Sequence, residues 1–117
     1  MAHPPGTSLH LIADLKQCRF LDDPVHIEQV LRAAAKAAGA KVVGVHLHHF
    51  GEGMGLTGVA MLAESHISIH TWPEAGAAAV DLFVCGENAD AEAGLAVIVR
   101  QLDARTASKH AVMRLVD

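Results

Sequence analysis

His66-Ile67-Ser68-Ile69-His70-Thr71 and Ala77-Ala78-Ala79-Val80-Asp81-Leu82-Phe83-Val84-Cys85 are two alternating runs separated by Trp72-Pro73-Glu74-Ala75-Gly76. A period of two predicts strands, and the Pro- and Gly-containing spacer predicts the turn between them. In the second run Val80, Leu82 and Val84 face one way, while Asp81, Phe83 and Cys85 face the other. Upstream, Lys41 to Phe50 alternates too, with Val43, Val45 and Leu47 on one face and His46 and His48 on the other. Gly51-Glu52-Gly53-Met54-Gly55 predicts a turn or loop, and Thr57 to Ala63 returns as its antiparallel partner.

Two helices flank these strands. Asp22-Asp23-Pro24 offers acidic caps and a proline at the first helical position, and Ile27, Val30, Leu31, Ala34 and Ala38 follow at helical spacing. Gly39 supplies the stop. Asn88 or Asp90 can cap a second helix whose apolar stripe is Leu95, Ile98, Val99 and Leu102. Leu9 to Leu15 reads as an opening strand with Leu9, Leu11 and Ala13 on one face, and Ser108 to Val116 reads as a closing one. The order strand, helix, four strands, helix, strand predicts an α+β fold. It is a two-layer sandwich, with a largely antiparallel sheet and two helices on one face. The other face, bearing His46, His48, Asp81, Phe83 and Cys85, is too polar for a core and too apolar for ordinary solvent exposure.

At 117 residues the chain predicts one domain, 1–117. Half of it is apolar (51%), which rules out disorder, and with only 3% aromatics the core must be Ala, Val, Leu and Ile. Nine Lys and Arg against 13 Asp and Glu, with no basic run, give nucleic acid nothing to bind. No apolar stretch is long enough to span a bilayer. Met1-Ala2-His3-Pro4-Pro5-Gly6 lacks the basic flank and apolar core of a secretion signal. Cys18 and Cys85 lie far apart without metal or redox spacing. A cytoplasmic location is expected, with no membrane partner.

The chemistry concentrates in Glu64-Ser65-His66-Ile67-Ser68-Ile69-His70-Thr71-Trp72-Pro73-Glu74, with two hydroxylic serines, two imidazoles and two carboxylates. A serine hydrolase would need a GxSxG elbow, which is missing. His66 and His70 with His46 and His48 offer imidazoles for a metal, although hydrogen-bonded or surface histidines are the commoner outcome.

This segment, with Asp81-Leu82-Phe83-Val84-Cys85-Gly86 downstream and His49-Phe50 and Leu56-Thr57-Gly58-Val59 upstream, resembles the small prokaryotic S-adenosylmethionine decarboxylase proenzymes. The resemblance takes in the opening strand and first helix as well, so it covers most of the chain. It implies a self-processing, pyruvoyl-dependent carboxy-lyase acting on S-adenosylmethionine, which supplies the aminopropyl donor for spermidine biosynthesis. The chain would cut itself between Glu64 and Ser65 into a β chain (1–64) and an α chain (65–117). Ser65 would become the pyruvoyl group that forms a Schiff base with the substrate, with neither pyridoxal phosphate nor metal. The resemblance makes His70 the proton acceptor for processing and Cys85 the proton donor in decarboxylation, with Thr57 supporting processing. It makes Phe50 and Glu74 candidate contacts for the adenine and ribose, while His66 and Ser68 support the site and Cys18 has no role. It also implies a homodimer of processed protomers with sites near the subunit boundary.

A decarboxylation needs an electron sink that ordinary side chains lack, and no phosphate cradle with a dedicated lysine is recognisable. An imidazole suits proton removal near neutral pH, and a protonated thiol can donate. One difficulty stands out: in a regular strand Ser65 and His70, five residues apart, point to opposite faces. Either the backbone bends between Glu64 and His66, or His70 lies past the strand end. The rival readings are an arginine or ornithine decarboxylase on the same scaffold, a non-catalytic His-rich metal-binding module, and an unprocessed partner subunit.

Overall fold

The computed structural model describes residues 4–86 and 88–116, so Met1-Ala2-His3 of the leader lies outside it. Strand β1 (Ser8–Lys16) leads to helix α1 (Pro24–Ala37), then β2 (Val42–His49), β3 (Leu56–Leu62), β4 (His66–Trp72) and β5 (Ala77–Cys85). Helix α2 (Ala91–Gln101) and strand β6 (Arg105–Arg114) close the chain. The six strands form one antiparallel sheet in the order β2-β3-β4-β5-β1-β6. Both helices cover the same face, α1 over β2, β3 and β4 and α2 over β1 and β5, giving the expected two-layer α+β sandwich.

Local chemistry explains the elements. The Asp23 carboxylate accepts from the His26 amide and Pro24 sits in the first turn, so α1 begins where the sequence predicts. Gly39, at φ +79°, ends it in the left-handed region that glycine tolerates. Asp90 rather than Asn88 caps α2, accepting from the Ala93 amide. Where α2 meets α1, Gly94 is needed for proximity: a Cβ there would lie 2.8 Å from Leu82 and 3.1 Å from the Ala34 carbonyl.

Two expectations need correction. Val42 and Gly44 oppose Leu62 and Met61, so Val43 is an extra residue in a β-bulge. Val43 is therefore 65% exposed, and Val42 takes its place beside Val45 and Leu47 against the core. The last strand runs from Arg105 to Arg114 rather than from Ser108 to Val116, because its pairing with β1 starts at Lys16.

The core lies between sheet and helices, with Leu11, Leu15, Ile27, Leu31, Ile67, Ile69, Leu82, Ile98 and Leu102 fully buried. The other, open face carries the second residue of each alternation. It keeps Ile12, Met61, Trp72 and Val112 exposed among its polar groups. No helix among the described residues is long and apolar enough to cross a membrane.

Candidate active site

The Glu64–Ser65 bond lies in the tight turn between β3 and β4. The Leu62 amide donates to the Ser65 carbonyl at 2.9 Å, leaving Ala63 and Glu64 as the turn, and the Ala63 amide is tied to the Lys41 carbonyl at 3.0 Å. The chain bends at this turn, but the bend does not bring Ser65 to His70, which lies inside β4 rather than past its end. The Cys85 thiol donates to the Glu64 carbonyl oxygen at 3.0 Å, and on its other side it meets the Ser8 hydroxyl at 3.0 Å. Ser8 opposes Cys85 in the β1–β5 ladder, which aligns the two side chains. An open cavity of about 330 Å³ adjoins this cluster, lined by Lys41, Leu62, Glu64, Ser65, Cys85 and Gly86 among others.

Thr57 and His70 are a cross-strand pair, with the Thr57 hydroxyl 3.2 Å from the His70 Nδ1. They lie toward the opposite end of β4. His70 lies five positions beyond Ser65 along an extended chain, a span of roughly 16 Å at ~3.3 Å per residue. Phe50, exposed and packed edge-on against His48 with ring centroids 4.8 Å apart, lies at this same end. Glu74 is exposed in the single 3₁₀ turn Pro73–Ala75 just beyond β4. The structure therefore sorts the residues that the resemblance implicates into two clusters. Glu64, Ser65 and Cys85 come together, Thr57 and His70 come together, and the clusters do not touch within one chain.

Between them, in the middle of the open face, Asp81 gathers three donors. Its carboxylate accepts from Ser68, from the His10 Nε2 at 2.6 Å and from the His66 Nε2 at 3.1 Å. Burial pushes the Asp81 carboxyl up, but the hydrogen bonds from Ser68, His10 and His66 outweigh it and hold it below the usual carboxylate range. Arg114 donates to the His10 Nδ1 at 3.1 Å, which leaves the His10 proton on Nε2, facing Asp81. The Phe83 ring packs against both imidazoles, edge-on 5.3 Å from His10 and stacked 5.6 Å from His66, with the two imidazoles 6.1 Å apart. His66 and Ser68, the supports expected from the sequence, both hydrogen-bond to Asp81.

The ligand atoms of His10, His66 and Asp81 lie within 4.8 Å of one another, a set that could hold a metal. It is not the set of His46, His48, His66 and His70 that composition suggests. Hydrogen bonding among its members accounts for the arrangement as it stands. Burial pushes the Cys18 thiol up, away from the reactive thiolate form.

Sequence reasoning missed Ser8 and His10. Their importance depends on β1 lying beside β5, a pairing of residues more than 70 positions apart that alternation alone does not reveal.

The model of the S-adenosylmethionine decarboxylase family matches residues 9–115. The chain is 47% identical over 98 residues to the S-adenosylmethionine decarboxylase proenzyme of Parasynechococcus marenigrum (strain WH8102), covering 82% of this chain and 76% of the relative. It is 41% identical over 107 residues to that of Prochlorococcus marinus (strain MIT 9211), covering 90% and 87%. Among solved structures, the crystal structure of the adenosylmethionine decarboxylase from Aquifex aeolicus VF5 superposes with a TM-score of 0.85 at 35% identity, over 97% of this chain and 95% of that one.

Proposed function

The chain belongs to the S-adenosylmethionine decarboxylase family, and we propose that it decarboxylates S-adenosylmethionine with a pyruvoyl group made from its own Ser65. One observation carries this reading: the Cys85 thiol donates to the Glu64 carbonyl oxygen at the turn where the chain would cut itself. The residues present suit that group. Ser65 offers the hydroxyl and the α-proton, and the turn holds its peptide against a hydrogen-bond donor. No route through pyridoxal phosphate or a metal is part of the proposal.

The steps of processing follow from these positions. The Ser65 Oγ attacks the Glu64 carbonyl carbon, and negative charge develops on the oxygen that already accepts from Cys85. The carbon–nitrogen bond breaks, leaving an ester and a free amine on residue 65. A base removes the Ser65 α-proton, the ester oxygen leaves with Glu64 as a carboxylate, and a dehydroalanine remains. Water then replaces its nitrogen, which departs as ammonia, and residue 65 ends as pyruvoyl. The products are a β chain of residues 1–64 and an α chain of residues 65–117.

When formed, that carbonyl supplies the electron sink that decarboxylation requires. Cys85 returns a proton to the substrate carbon that lost carbon dioxide. Phe50 offers an aromatic face to the adenine, Glu74 a carboxylate to ribose hydroxyls, and Thr57 a hydroxyl beside the processing base His70.

His70 can serve as that base only if another copy brings it to Ser65. A two-fold axis lying across the strands, between two open faces, reverses strand direction and stacks the faces. The Ser65 end of one sheet then meets the His70 end of the other, and the two Asp81 clusters meet at the centre. Exposed Ile12, Met61, Trp72 and Val112 would be covered by the same contact. The working form in this reading is a homodimer of αβ protomers, and we place it in the cytoplasm with no nucleic-acid or membrane partner.

The test is intact mass together with carbon dioxide release. The purified protein should give two fragments divided between Glu64 and Ser65, and Ser65→Ala one uncut chain without activity. Processed protein should release carbon dioxide from S-adenosylmethionine and not from arginine or ornithine. A fully active chain of 117 residues would end the pyruvoyl reading, and turnover of arginine or ornithine instead would reassign the substrate.

A further inference from the structure

Two buried side chains with polar atoms stand out among the described residues, Ser8 and Thr71. A buried hydroxyl is costly unless it is hydrogen-bonded. Thr71 is explained by the fold: its hydroxyl accepts from the Leu56 amide at 2.9 Å and donates to the Leu21 carbonyl at 2.8 Å. Ser8 has a different kind of partner, the Cys85 sulfur at 3.0 Å. A thiol carries one hydrogen, and that of Cys85 goes to the Glu64 carbonyl oxygen. The remaining link therefore runs from the Ser8 O–H to the sulfur, with sulfur as acceptor.

We infer that Ser8 is the positioning residue for Cys85, and the inference rests on the function proposed above. The Ser8 hydroxyl fixes the rotation of the Cys85 thiol, which is otherwise free about its carbon–sulfur bond. In the precursor this aims the S–H at the Glu64 carbonyl. After cleavage the same bond keeps the sulfur aimed at the space that this carbonyl occupied, where the substrate carbon must receive its proton. The arrangement survives the cut because it spans it: β1 belongs to residues 1–64, β5 to residues 65–117, and their ladder pairs Ser8 with Cys85.

During turnover the S–H bond breaks, a C–H bond forms at the substrate carbon, and the sulfur keeps the electron pair. The Ser8 O–H then donates to a thiolate, a charge-assisted bond stronger than the one it replaces. Water reprotonates the sulfur. Without Ser8 the thiol wanders, and protonation at the carbon derived from residue 65 competes. That misplaced proton, followed by hydrolysis, turns the pyruvoyl end into alanine and releases the substrate remnant as an aldehyde.

The experiment compares Ser8→Ala and Ser8→Thr with the wild type. Ser8→Ala should cleave about tenfold more slowly by intact mass, the scale of one lost hydrogen bond. Its kcat should fall about tenfold while KM stays within a factor of two. During turnover, N-terminal sequencing of its α chain should open with alanine severalfold faster per catalytic event. Ser8→Thr, which keeps the hydroxyl, should restore all three. Wild-type cleavage and an unchanged rate of alanine formation in Ser8→Ala overturn the inference. So does a defect that Ser8→Thr fails to rescue and that moves KM as much as kcat.

A second readout does not depend on processing. In a Ser65→Ala chain, adding Ser8→Ala should slow alkylation of Cys85 by iodoacetamide severalfold and leave Cys18 unchanged. The reagent takes the thiolate, and the Ser8 hydroxyl is the donor that steadies it. Equal Cys85 rates would remove the role of Ser8 even if the wild type cleaves and turns over. A wild type that never cleaves, with Cys85 still responding to Ser8→Ala, would remove the pyruvoyl reading and leave the contact standing.

Discussion

The two ends of the open sheet face are built differently. At the Ser65 end a tight turn, a buried hydroxyl and a thiol close on one carbonyl, with two hydrogen bonds of 3.0 Å meeting at a single sulfur. At the other end His70 and Thr57 form an exposed pair, with Phe50 and Glu74 also open to solvent. One end is assembled by the chain alone, whereas the other is a set of side chains with nothing of their own to act on. Proximity is worth many orders of magnitude in rate, so a base some 16 Å from its proton contributes nothing. In the proposed dimer each end is half of a site, and the second copy supplies the complement.

The sharpest way to break that comparison is complementation, where the expected effect is all or nothing. His70→Ala alone should block cleavage. Cys85→Ala alone should leave turnover minimal. Co-expressed, they form mixed dimers in which one of the two sites has Cys85 from one chain and His70 from the other. With random pairing, about a quarter of all sites are intact, so carbon dioxide release should return to roughly a quarter of the wild-type level, and the His70→Ala chain, uncut on its own, should be cut in the mixed dimers. If one chain supplied the whole site, mixing would restore nothing, and the two ends would have to be joined some other way.

A smaller effect separates the two roles of the Ser65 end. Cys85→Ala should still cleave at Ser65, more slowly for lack of a donor to the Glu64 carbonyl. Its turnover should fall by roughly two orders of magnitude, the usual scale for a lost general acid. Intact mass and carbon dioxide release on one preparation measure both. Normal turnover would refute the proton-donor role, and total loss of cleavage would make the thiol chiefly a processing group.

Much of this was legible in the sequence, for particular reasons. Alternation in 77–85 and the Asp23-Pro24 cap are local signals, and they predicted β5 and the start of α1 correctly. The motif from Glu64 to Glu74 named the family, and Asp81, Phe83 and Cys85 were placed together on the open face. What escaped depends on register. Alternation places Val43 on the apolar face, because the bulge that Val43 forms leaves no trace in a count of period two. Ser8 and His10 acquire meaning only once β1 is seen to pair with β5, across more than 70 residues. The division of the site escaped as well. The motif sets His70 five residues from Ser65, and only the straight course of β4 shows that closeness in sequence is distance in space.

The smallest expected effect concerns the centre that joins the two ends. The Asp81 carboxyl is held below its usual range, outweighing its burial, by Ser68, His10 and His66. A group whose folded pKa is lowered contributes stability above its unfolded value, about 3.9, and loses it as pH falls toward the folded value. Asp81→Asn removes a charged acceptor and should cost ~1–3 kcal/mol, about 5 °C or more in melting temperature. That gap from the wild type should be full at pH 6 and should shrink as pH falls below about 4. His66 follows Ser65 directly, so the variant should also loosen the start of β4, and cleavage at Glu64–Ser65 should slow a fewfold. Thermal melts of both proteins from pH 3 to 6 provide the check. A gap independent of pH would mean that the carboxylate's charge does not hold this centre together, and that Phe83 stacked on His66 and beside His10 does so instead.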